Sequence, residues 1–176
     1  MHGIVHAELK RFIETKHGRD AWSKIAQQTG LGNKIYMPTG TYPDQEVLAI
    51  VKAASELTRT PAAAILEDFG EFIVPTLMNM YKTLIKPEWG TMELLLNTEE
   101  TIHRVVRIKN PGAQPPLLKF EKTGPNTLKF HYDSARQMSA VAKGIMKGVA
   151  AHYRNTLSIQ EKKNADGSID MSIKVQ

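Results

Sequence analysis

Two features of this sequence have residue types and spacing suited to chemistry. Tyr132, Ser134 and Arg136 fall on alternate positions of KFHYDSARQM, and alternate side chains of an extended chain share a face. Two hydroxyls and a guanidinium on one face would clamp an anion: the planar guanidinium donates two parallel charge-assisted bonds to a carboxylate, and the hydroxyls add donors. The same spacing also describes a strand with an aromatic packed on its neighbour and a surface arginine, because short Y-x-S-x-R matches arise by chance. The second feature is His103, beside Ile102 and one turn from Val106. A helix would present its imidazole at an apolar surface, as a hydrogen-bonded core histidine or as a metal ligand. His6 and His152 have similar settings, one turn from Leu9 and Val149. No histidine lies in an H-E-x-x-H arrangement, so a multi-histidine metal site is not indicated.

The elements that must position these residues divide the chain. Val5, Leu9, Phe12 and Ile13 recur at helical spacing, with Gly18 as a stop. A turn-rich stretch, QTGLGNKIYMPTGTYPD, precedes a second helix whose face carries Val47, Ile50, Val51, Ala54 and Leu57. Thr60 and Pro61 read as an N-cap and first helical position, opening a segment through Phe72 that Gly70 and Pro75 would interrupt or kink, with a short helix running on toward Leu84. Asn97 and Glu100 have capping-box spacing ahead of the helix that holds His103. After PGAQPP the pattern changes to LLKFEKT and TLKFHYDS, then a helix with Met138, Val141, Ala142, Ile145, Val149 and Tyr153, then TLSIQEKK and SIDMSIKVQ. The expected class is α+β: an N-terminal helical subdomain (about 1–85), then a subdomain (about 86–176) with the His103 helix and a four-stranded antiparallel sheet with an inserted helix, all in one domain of residues 1–176.

Composition narrows the function. The net charge of +5 is spread along the chain with no stacking-aromatic module, which speaks against nucleic-acid binding. The absence of cysteine excludes disulfides, thiolate ligands, Cys-type zinc sites and the C-x-x-C-H linkage of covalently attached haem. No stretch approaches a bilayer span and the N-terminus has no long apolar run, so a cytoplasmic protein without membrane contact is expected. G-x-S-x-G, Walker and dinucleotide motifs are lacking, and Glu67, Asp68 and Glu71 read as a solvated helix face, so the chain is not expected to be an enzyme.

Haem needs an axial ligand, an apolar slot and donors for two carboxylate tails, and His103, the helical faces and the Tyr132-Ser134-Arg136 trio can supply all three. In order, M-x-G-I-V, the histidine of TIHRVV, the following QPP and Y-D-S-A-R resemble the haem nitric oxide and oxygen binding domains, H-NOX, related to the haem domain of soluble guanylate cyclase. The resemblance runs over essentially the whole chain. It implies non-covalent haem b between the two subdomains, with His103 as proximal iron ligand, Tyr132, Ser134 and Arg136 on the propionates, and Pro116 pressing on the porphyrin. It places Val5, Leu9, Ile73, Leu77, Val141 and Ile145 on the distal side, with Val141 where oxygen binders of the family carry a tyrosine. The implied function is a stand-alone sensor that binds nitric oxide and carbon monoxide at ferrous iron, with little oxygen binding. Rupture of the bond between iron and His103, with movement of haem and helix, would signal to a separate histidine kinase or cyclic-dinucleotide enzyme. A haem-free module that binds a lipid or another small ligand in the same cavity is the alternative, and leaves His103 without a purpose.

Overall fold

The computed structural model describes residues 1–32, 34–110, 112, 115–134 and 136–176. Gln114 of the QPP motif and Ala135 of Y-D-S-A-R therefore lie outside the described residues. Helix α1 (Gly3–His17) ends at Gly18, whose φ of 88° only glycine adopts without strain, and α2 (Arg19–Gln28) follows at once. Helix α3 spans Asp44–Thr58 and α4 spans Ala62–Met80. Their inward residues, with those of α1 and α2, form one core around Leu9, Phe12, Ile25, Ile50, Phe69 and Ile73.

Of the interruption or kink expected at Gly70 and Pro75, the interruption does not occur, since α4 is continuous through both. Gly70 serves packing instead. A Cβ there would lie 2.4 Å from the Val141 carbonyl oxygen, and one on Gly144 would lie 1.9 Å from that of Glu67. The missing side chains let α4 touch α7 (Ser139–His152) backbone to backbone. Glu67 is not simply solvated either, since it pairs with Lys143 at 3.3 Å and Lys147 at 2.5 Å on α7.

Residues 91–109 form one helical run, so the helix that holds His103 starts before the cap expected at Asn97. Helix α5 (Thr91–Thr98) begins where the Glu93 carboxylate accepts the Gly90 amide at 3.1 Å, passes through a π-helical turn (Glu99–His103) and continues as α6 (Arg104–Lys109). Asn97 does not cap; inside α5 its Nδ2 donates to the Glu93 carbonyl at 2.8 Å.

The sheet comprises β1 (Leu118–Gly124), β2 (Thr127–Tyr132), β3 (Leu157–Lys163) and β4 (Ile169–Val175), all neighbours antiparallel, in the order β1-β2-β4-β3. Alternation buries Leu128, Phe130 and Tyr132 of β2. Phe130 stacks on Phe120 at 4.4 Å between centroids and opposes Met171 across β4. This sheet face, α5 and α7 enclose a second core. Helices α4 and α7 contribute to both cores, so the space beside their crossing is where a shared site can form. No helix among the described residues is long and apolar enough to cross a membrane.

Candidate functional site

A cavity of about 280 Å³ lies along that seam. Its wall is mostly aliphatic and aromatic, with Val5 from α1, Val74, Leu77 and Met78 from α4, Leu94 and Leu95 from α5, and Val141, Ile145 and Val149 from α7. Pro115, Pro116, Leu118, Phe120 and Phe130 continue it on the sheet side. The polar side chains on the wall are His2, Tyr81, Thr98, His103, Tyr132 and Arg136.

His103 ends the π-helical turn, a distortion often found at functional positions. Its Nδ1 lies 3.1 Å from the Pro116 carbonyl and 3.2 Å from Glu99 Oε2. Both are acceptors, so Nδ1 carries the proton and donates it, leaving Nε2 with the lone pair a metal requires. Burial lowers the His103 pKa, and although Glu99 and the Pro116 carbonyl oppose this, the net direction is downward. The imidazole is therefore held neutral.

Glu99 is the hub of this arrangement. Its Oε2 accepts the Leu118 amide at 3.0 Å and its Oε1 accepts Arg107 Nη2 at 2.7 Å. Burial pushes this carboxyl up, but the Leu118 amide, Arg107 and His103 outweigh it and hold it below its ordinary value. One side chain thus fixes the His103 ring, the start of β1 and α6. Ligand imidazoles are commonly oriented this way through the nitrogen that does not bind metal.

The anion-clamp residues are arranged differently from a strand face. Strand β2 ends at Tyr132, so only Tyr132 follows the alternation, while Ser134 and Arg136 belong to the connection into α7. Tyr132 is 5% exposed, and its oxygen accepts the Met138 amide at 3.1 Å, leaving its hydrogen available to donate. Arg136 reaches the cavity wall and its Nε donates to Asp44, which also pairs with the Met1 ammonium at 2.8 Å. Ser134 is half-buried, is not among the lining residues, and its Oγ accepts the Arg136 amide at 3.3 Å. It braces the turn that carries Arg136.

Of the residues expected on the distal side, Val5, Leu77, Val141 and Ile145 line the cavity. Leu9 and Ile73 do not; they are 0% and 2% exposed inside the N-terminal core. His6 is fully buried and its Nε2 meets the Pro43 carbonyl at 3.1 Å, and His152 is exposed. Neither touches the cavity. Sequence reasoning missed Glu99 and the Pro116 carbonyl as partners of His103. The four-residue interval between Glu99 and His103 was a usable signal; a backbone partner leaves none.

An apolar slot walled by the His103 imidazole and also by an arginine and a tyrosine hydroxyl fits a flat hydrophobic macrocycle that has a metal centre and acidic tails. Comparison with known proteins agrees. Residues 2–161 match the haem-NO-binding family. A soluble guanylate cyclase of Caenorhabditis elegans is 22% identical over 155 residues, covering 85% of this chain and 23% of the relative. One from Drosophila melanogaster is 23% identical over 155 residues, covering 87% and 23%. The chain thus spans about a quarter of the length of these curated relatives. Among solved structures, the Fe(II) unliganded H-NOX protein from K. algicida superposes with a TM-score of 0.90 at 26% identity, over 100% of this chain and 97% of that one. An H-NOX protein from S. oneidensis in the Fe(II)NO ligation state gives 0.91 at 18% identity, over 100% and 99%, a likeness of fold. With the family match extending over nearly its whole length, the chain belongs to the haem-NO-binding, or H-NOX, family of gas-sensing domains.

Proposed function

We propose that residues 1–176 act as one nitric oxide-sensing unit that signals to a separate protein. The observation that carries this reading is the pairing of a neutral His103, its Nδ1 already engaged, with a cavity whose Val5, Leu77, Val141 and Ile145 offer no hydrogen-bond donor. Haem b, held non-covalently, would supply ferrous iron as the binding centre for nitric oxide and carbon monoxide. His103 would hold it through Nε2, Arg136 and Tyr132 would grip the acidic tails, Ser134 would brace Arg136, and Pro116 would bear on the flat face. The aliphatic residues would exclude water and withhold the donor that stabilises polarised oxygen, so oxygen would bind weakly.

His103 also explains how binding could reach the surface. Glu99 links its ring to α6 through Arg107 and to β1 through Leu118. Release of the His103 tether would free the π-helical turn and let the helical run shift against the sheet. The resulting change of surface would be read by a partner, a histidine kinase or a cyclic-dinucleotide enzyme in a cytoplasmic setting. The chain would act as a sensor without catalysing a reaction.

Ligand spectra of the reduced protein test this reading. Nitric oxide and carbon monoxide should each shift the absorbance, nitric oxide should abolish the signature of the iron-histidine bond, and air should give no long-lived oxygen complex. A stable oxygen complex, or a nitric oxide complex that keeps the histidine at saturation, would overturn it.

A further inference from the structure

A second opening lies on the surface beside the cavity. Its volume is about 490 Å³, and it forms where the end of α4, the connection from α4 to α5 and the end of α7 meet. Asn79, Lys82, Lys86 and His152, all exposed, bring its wall to solvent. Met78 and Ile85 line this groove and the cavity of His103 alike, and no other described residue lines both. Each is half-buried, so each shows one part of its side chain to the groove and another to the cavity. At these two places the wall between solvent and cavity is one side chain thick.

Both side chains are apolar and both pack against the second core, which holds the wall shut at rest. Neither is locked deep within an element. Met78 lies in the last turn of α4, and Ile85 belongs to the connection between Met80 and Thr91. Local opening costs least near helix ends and in connections, and an unbranched methionine turns about three bonds to fill or vacate a gap. Nitric oxide and carbon monoxide are neutral and diatomic, so a brief gap between two apolar side chains is enough for them, whereas water and ions meet an apolar barrier. Met78 also adjoins Leu77, which the haem reading places on the gas side. We infer that Met78 and Ile85 form a gate through which these gases pass between the surface groove and the haem. The inference rests on the haem reading above and adds to it the route by which the ligand arrives.

Flash photolysis of the carbon monoxide complex of the ferrous protein tests the gate. Met78→Ala and Ile85→Ala thin the wall, Ile85→Trp thickens it, and Lys86→Ala alters the groove alone. In each thinned variant carbon monoxide should rebind from solvent about tenfold faster, the effect of a barrier lower by about 1.4 kcal/mol. Ile85→Trp should slow rebinding by a similar factor, and Lys86→Ala should leave it unchanged. The Ile85 variants, outside any helix, carry the test alone if Met78→Ala does not fold. A gate alters entry and exit equally, because an equilibrium does not depend on the height of the barrier between its two states. The dissociation rate should therefore shift in step with rebinding, and the affinity for carbon monoxide should stay that of wild type. Wild-type rebinding in the gate variants would overturn the inference, as would rate changes matched by changes in affinity, the mark of an altered pocket. A wild type that takes up no haem, or whose haem binds no carbon monoxide, would instead reject the haem reading, so the two failures are distinct.

Discussion

Replacing Glu99 by alanine probes the mechanical centre of the site. Three partners are affected unequally. The half-buried Leu118 amide loses a charged acceptor, worth about 1.5 to 3 kcal/mol. Arg107, 35% exposed, loses an ion pair that solvent already weakens, worth no more than about 1 kcal/mol. The His103 Nδ1 proton keeps the Pro116 carbonyl at 3.1 Å, so it is not stranded. The expected destabilisation is about 2 to 3 kcal/mol, read by urea unfolding of the haem-free protein. Haem release should quicken about tenfold, the low end for losing an outer partner of a ligand imidazole, because one of two acceptors remains. Glu99→Gln, which keeps an acceptor for Leu118, should recover part of the stability. A loss below about 0.5 kcal/mol with unchanged haem release would show that Glu99 is an ordinary surface acid and that His103 is oriented by other means.

Other outcomes follow from the same geometry. Gly144→Ala forces a Cβ to within 1.9 Å of the Glu67 carbonyl oxygen, so thermal unfolding should show a net loss of about 2 kcal/mol despite the better helix propensity of alanine. Val141→Tyr places a hydroxyl in the cavity wall proposed to face the gas, and the reduced variant should form an oxygen complex that persists in air, as judged by its spectrum. Stability of the haem-free protein should fall as pH drops below about 6.5, where the unfolded chain protonates histidines that the folded chain keeps neutral. His103 and His6 both have depressed values, chiefly through burial, so pH-dependent urea melts of His103→Gly should show a shallower slope there. The contribution of Glu99, whose folded value is also depressed, is present above its unfolded value of 4.5 and disappears at lower pH, as pH falls through its folded value.

The C-terminal strand-strand-helix-strand-strand order was legible because Pro and Gly punctuate it and its strands alternate cleanly. Helices α1 and α3 were legible from apolar spacing alone. By contrast, α2 has few apolar positions beyond Trp22, Ile25 and Ala26 to advertise it. Gly70 and Pro75 misled because local propensity treats them as breakers, whereas packing against α7 makes Gly70 an asset. The alternation of Tyr132, Ser134 and Arg136 could not reveal that the strand stops at Tyr132. Helical spacing likewise shows that Leu9 and Ile73 face inward but not whether they meet side chains or a cavity.

The most direct measurement is the absorbance spectrum of the purified, reduced protein beside that of His103→Gly, each with and without added imidazole. The wild type should show an intense haem band, the variant should lose the ligated spectrum while keeping its fold by circular dichroism, and imidazole should restore it. A protein that takes up no haem, or a His103→Gly spectrum identical to wild type, would contradict a haem tethered in this cavity by His103.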